Sequence, residues 1–164
     1  MDSVDIALNQ LRTSGQEFEI VDCDPNLADT AQFCEAYGYS LEDSANTIVV
    51  VGKSEPRVYA ACVVLATTRL DVNGTVRKRF GTRKASFAPG EETASKTGMS
   101  IGGVTPFGLP ADLPLWVDAA VMDRDRIILG GGGRDRKVLA PPAILTALPN
   151  VEVVSNLAKD VPNS

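Results

Sequence analysis

"TIVVVGKSEPRVYAACVVLA", residues 47–66, decides the fold class. Two β-branched apolar runs, "TIVVVG" (47–52) and "VYAACVVLA" (58–66), are separated only by "KSEPR". That connection is of hairpin length and too short for a crossover helix, so the runs read as neighbouring antiparallel strands.

Upstream, Ser3 caps an expected helix whose apolar positions Val4, Ala7, Leu8 and Leu11 share one face, with Gly15 past its end. "EFEIVDC" (17–23) reads as a strand and "NLADTAQFCEAYG" (26–38) as a helix closed by Gly38. Downstream, Asp71 caps "VNGTVRKRF", with Gly81 following, and "KASFA" (84–88) is a short strand. Pro89 opens a helix with Glu91 and Glu92 at its positive end and Gly98 at its exit. Strands follow at "PLWVDA" (114–119), "RIILGG" (126–131) and "KVLA" (137–140). "PPAILTAL" (141–148) reads as a last helix and "VEVVSNL" (151–157) as a last strand. Strands dominate the middle and helices are interspersed. The expected class is therefore α+β, one domain over 1–164, with a mixed, barrel-like curled sheet and helices on its outside.

The totals narrow the function. The chain has 164 residues, 44% apolar and 23% charged, ordinary for a soluble globular domain. No apolar run reaches the roughly 20 residues of a membrane span, and the acidic "MDSVDIALNQ" has no leader pattern. A cytoplasmic protein without a membrane role is expected. Three cysteines, Cys23, Cys34 and Cys62, share no metal-ligand spacing and read as reduced thiols. There is no histidine, which removes Ser-His-Asp and Cys-His chemistry and the commonest metal ligand. No metal and no cofactor are expected.

The net charge of −5 argues against a large nucleic-acid footprint, and no DNA partner is expected. The charge is uneven: residues 1–45 carry ten acids and one base, whereas "TRLDVNGTVRKRFGTRK" (68–84) carries six bases against Asp71. That run, Arg77 and Lys78 included, is either a solvated face or a small phosphate-contacting patch.

Three further features bear on chemistry. "MSIGGVTPFGLP" (99–110) is stiff and poor in side chains. Gly102 and Gly103 let a ligand approach the backbone. Pro106 has a fixed φ, and Thr105 before it is held extended, leaving Val104 between them. Such a frame either aims N–H groups at an oxyanion or is a tight turn. "GGGGRDRK" (130–137) lacks phosphate-loop order. It reads as a hairpin near a ligand mouth, including Gly131, with Arg134, Arg136 and Lys137 as candidate phosphate contacts. Asp118, ending "LPLWVD", is a candidate catalytic or cation-holding acid, or a cap.

The ordered set "TGMSIGGVTPFGLP" (97–110), "LWVDAAV" and "IILGGGG" resembles the YbaK/prolyl-tRNA-synthetase-associated editing domains, over about Asp29 to Leu148. "ANTIVVV", "YAACVVLATTRLD" and "VRKRFGTRKASFAPGEE" fall where members have early strands and a basic helix. The resemblance implies a mixed barrel-like sheet and a deacylase acting on mischarged aminoacyl-tRNA. It implies that the loop Gly102, Gly103, Val104, Thr105, Pro106 holds the ester carbonyl, and that the aminoacylated tRNA 3′ end is the partner. Members usually carry a lysine where this chain has Asn46, which still offers an amide. Asp118, Gly131, Arg134, Arg77 and Lys78 are the expected substrate contacts. The alternative is a catalytically silent module binding an aminoacylated tRNA end, a nucleotide or an amino-acid-like ligand. The oligomeric state is left open.

Overall fold

The structure, a computed structural model, describes residues 3–99 and 104–160. The expected hairpin is its centre. β2 (Ala45–Gly52) and β3 (Val58–Leu65) pair antiparallel over their full lengths, Ala45 opposite Leu65 and Gly52 opposite Val58. β5 (Ala85–Phe87) adds antiparallel to β2 over Val50–Gly52 only. On the other side β3 takes β6 (Leu115–Asp118) in parallel, and β6 takes β9 (Val151–Val154) in parallel.

The expected single curled sheet is instead divided. β1 (Glu19–Asp22), β8 (Arg136–Ala140) and β7 (Ile127–Gly130) form a separate three-stranded antiparallel sheet. Two short strands unexpected from the sequence, β4 (Thr68–Leu70) and β10 (Ala158–Asp160), form a third pair. Among the described residues no sheet closes into a barrel. The mixed α+β class stands.

The physical reason is that the chain buries both faces of its long hairpin against different partners. On β3 the alternation of period two sends Ala61, Val63 and Leu65 to one side and Ala60, Cys62 and Val64 to the other. The first side meets α1 (Ser3–Thr13) through Ala7 and Leu11 and the three-stranded sheet through Ile127, Leu129, Val138 and Ala140. The second side packs on Trp116, Leu157 and Val76. The three-stranded sheet is itself covered on its far face by α2 (Thr30–Tyr37), where Phe33 and Cys34 meet Ile128 and Leu139.

Most caps form as expected. Gly38, Gly81 and Gly98 end α2, α3 (Arg77–Phe80) and α4 (Gly90–Thr97) with φ of 77°, 69° and 75°. Asp71 accepts from the N–H groups of Gly74 and Thr75, although the turn it starts is wide and becomes α-helical only at Arg77. Residues 141–148 differ: Pro142–Ala147 is 3-10, held between two leading prolines and Pro149.

Candidate active site

The fold leaves a gap beside β2. Because β5 covers only the Val50–Gly52 end, a cavity of about 240 Å3 opens beside Ser44–Ile48. The N-terminal turn of α2 and the β7–β8 hairpin close its other sides. A second cavity of about 230 Å3 adjoins it, lined by Ile48, Val49, Phe87 and Ala88. Thr47, Ile48 and Val104 belong to both walls. A larger hollow near Phe18 and Arg126 is lined by no buried charged group, so the first cavity is the candidate site.

Asn46 lines this cavity. Its Oδ1 accepts a hydrogen bond from Thr30 Oγ1 at 2.7 Å, and its amide N–H2 has no partner among the described residues. Thr47 Oγ1, at the junction of the two cavities, is buried and unpartnered. Ser44 Oγ and Cys34 Sγ share a hydrogen bond of 3.0 Å.

Of the two charged residues that line the cavity, Asp29 is exposed and Lys137 is buried. On β8 it alternates with Leu139, so it faces α2 rather than the α1 core. It is 7% exposed. Its Nζ donates to Ala28 O at 2.6 Å and stands 5.6 Å from the Phe33 ring centroid. Burial pulls its pKa below the usual lysine value, with the Cys23 thiol and Asp29 opposing that shift and Arg134 adding to it. Among the described residues it forms no ion pair; the Asp29 carboxylate, which acts on it through space, is exposed and pairs instead with Arg134 at 3.6 Å.

The other expected site residues divide. Gly102 and Gly103 lie outside the described residues. Val104 is buried and lines the cavity. Thr105 is fully buried: its N–H points to Met99 Sδ at 3.4 Å, and its hydroxyl accepts from Phe107 N at 3.4 Å. Pro106 lies under α1 beside Gln10. Gly131 follows β7, where a Cβ would meet Arg136 Cγ at 2.7 Å. Arg134 reaches across to the 3-10 turn Pro25–Leu27 that precedes α2, donating to Pro25 O at 3.0 Å.

Asp118 is elsewhere. It is 3% exposed, and its Oδ1 accepts from Leu157 N at 3.2 Å, tying β6 to the segment before β10. Burial raises its pKa, against the opposing backbone N–H groups of Leu157, Ala158 and Ala119. Arg77 and Lys78 are on α3, at the Gly52 end of the sheet. Arg77 Nε donates to Asn73 O at 2.9 Å, and Lys78 is exposed. Arg79 pairs with Glu152 and stacks over Trp116 at 4.9 Å.

The thiols are buried. Burial in the core pushes the Cys62 thiol far up, and burial raises Cys23 as well. Among the described residues no cluster of acids and cysteines has the makings of a metal site, and no helix is long and apolar enough to cross a membrane. Thr30 and Thr47 were not singled out in the sequence. Thr30 could have been found from its place just past Asp29 at a helix start; Thr47 carries no such signal.

A model of the aminoacyl-tRNA editing domain matches residues 24–148, and the chain belongs to that family. Every wall of the cavity falls inside the match. Among curated relatives, YwhH of Bacillus subtilis strain 168, an uncharacterized protein, is 24% identical over 159 residues, covering 94% of this chain and 99% of that one. The crystal structure of a candidate trans-editing enzyme for prolyl-tRNA synthetase superimposes with a TM-score of 0.81 at 24% identity, covering 98% and 99%. Hypothetical protein APE2540 gives 0.77 at 22% identity, covering 88% and 95%.

Proposed function

We propose that the protein hydrolyses the ester linking an amino acid to the 3′ end of a mischarged tRNA, acting as a free-standing editing enzyme. The observation that supports this reading is the cavity beside β2, which Asn46, Lys137 and Val104 line together. An aminoacyl ester is already activated. Its hydrolysis needs a positioned water and donors for the oxyanion, and no histidine. Water oxygen bonds to the carbonyl carbon, the carbon–oxygen ester bond breaks, and the ribose oxygen leaves with a proton. The loop backbone holds the carbonyl at the shared wall of the two cavities, so one cavity takes the amino-acid side chain and the other borders the terminal nucleoside.

The basic run supports tRNA as partner. Lys78, Arg83 and Lys84 are exposed near the Gly52 end of β2. That end is about 20 Å from Asn46 at the rise of an extended strand, a few nucleotides from the ester.

A binding module that holds the aminoacylated end without cutting it is favoured by one observation, the neutral Asn46 tied to Thr30. A panel of mischarged tRNAs separates the readings. Ester loss above the buffer rate on at least one member is the expected result. No loss on any member, with tRNA binding retained, would leave the binding module.

A further inference from the structure

We propose that Lys137 is the residue that selects the amino acid, and that the cavity takes a side chain bearing an oxygen acceptor, an acidic one best of all. This rests on the deacylase reading and deepens it.

A cation that is 93% buried by the 7% exposure of its residue is a costly feature unless something answers its charge. Lys137 has three N–H donors. One goes to Ala28 O, a neutral carbonyl. The Phe33 ring, 5.6 Å away, contributes only its quadrupole. Among the described residues no carboxylate lies within ion-pair distance of it; Asp29, on the cavity rim, pairs with Arg134. Two donors and a net charge are therefore left on a wall of the cavity.

The position of the lysine says which part of a substrate meets it. Val104 lies on the wall common to both cavities, whereas Lys137, Ala28 and Phe33 line only the first. With the ester carbonyl at the common wall, a group extending into the first cavity ends against Lys137. A volume of about 240 Å3 suits a small or medium side chain. The remaining walls supply one further match for oxygen, the Asn46 amide N–H2, which has no partner among the described residues. An apolar side chain would leave all of these unpaired, and a pocket built around a polar group rejects the analogue that lacks it far more strongly than one methylene is rejected.

The test charges one tRNA with aspartate, asparagine, threonine, leucine or valine, so that shape is nearly held while the acceptor is removed. Wild type, Lys137→Met and Lys137→Gln are compared by initial rates, each corrected for spontaneous ester loss. Wild type should favour aspartyl over leucyl and threonyl over valyl ester by about 10²-fold or more. Lys137→Met should lower the aspartyl-to-leucyl rate ratio by about 10²-fold, a change that general unfolding, which lowers both rates together, would not give; Lys137→Gln should keep the threonyl preference and lose the aspartyl one. Equal wild-type rates within each pair, or a preference that survives Lys137→Met, would overturn the inference while leaving the deacylase reading intact. If wild type cleaves no ester, the deacylase reading fails alone. The inference is then decided by calorimetry with the non-hydrolysable 3′-aspartylamino and 3′-leucylamino adenosines: tighter aspartyl binding, lost in Lys137→Met, supports it, and equal or no binding overturns it.

Discussion

Replacing Asn46 with lysine would place a second ammonium beside the cavity that Lys137 already charges. The structure fixes the sign of the effect. Asn46 Oδ1 accepts from Thr30 Oγ1; lysine cannot, so the hydroxyl loses its partner at a cost of about 1 kcal/mol. The cavity of about 240 Å3 is roughly 8 Å across if treated as a sphere, and two like charges at that separation, at an effective dielectric near 20, repel by about 2 kcal/mol. Asn46→Lys should therefore destabilise by about 3 kcal/mol. In a Lys137→Met background the repulsion is gone and the same change should cost about 1 kcal/mol. Urea unfolding of wild type, both single variants and the double variant gives the coupling directly. The account expects about 2 kcal/mol. Additive effects, within about 0.5 kcal/mol, would show that the two positions do not share a cavity and would refute the reasoning.

Asp71→Ala removes the cap shared by Gly74 N–H, Thr75 N–H and the Thr75 hydroxyl and should cost about 1–2 kcal/mol by urea titration. Burial works to raise the Asp71 carboxyl, but the Thr75 bonds, Lys159 and Gly74 outweigh it and hold it below 3.8. Its stabilisation is thus present above about pH 4 and fades as pH falls through the lowered folded value, so Asp71→Asn should flatten that part of the pH–stability curve. Gly108→Ala forces a side chain onto φ 79° with its Cβ 2.6 Å from Ile6 Cγ2; a loss of about 2 kcal/mol or more is expected, with α1 exchanging amide hydrogens faster. Lys78→Glu with Lys84→Glu should weaken tRNA binding and flatten its salt dependence, leaving hydrolysis of aminoacyl-adenosine unchanged; Arg79 is spared because it stacks on Trp116.

The hairpin was legible because both faces of β3 are buried, so every position from Ala60 to Leu65 is apolar and only "KSEPR" interrupts the run. Sheet partition was not. Nothing in "EFEIVDC" says that Glu19 will lie opposite Leu139, because that register is set by packing across more than a hundred residues. β4 and β10 escaped notice because "TRL" and "AKD" are three residues each and largely polar. In the site, Asn46 was singled out by the family resemblance, as standing where members carry a lysine, and the structure puts it on the cavity wall. Lys137 was read as a surface phosphate contact, since lysine is rarely buried. The alternation of Lys137 with Leu139 was the available signal that it faces inward. Asp118 looked like site chemistry from its strand-end position, and what occupies it is the N–H of Leu157, a loop partner that no local pattern announces.

The central claim is that the aminoacyl end is held in the cavity between β2, α2 and the β7–β8 hairpin. Backbone amide chemical shifts recorded while titrating a non-hydrolysable 3′-aminoacylamino adenosine test it most directly. The account predicts saturable shifts at Ala28–Thr30, Phe33, Asn46–Ile48, Val104 and Ile128–Gly130, all of them cavity walls. Shifts confined to Phe18, Arg126 and Leu139, which line the larger hollow, would contradict it.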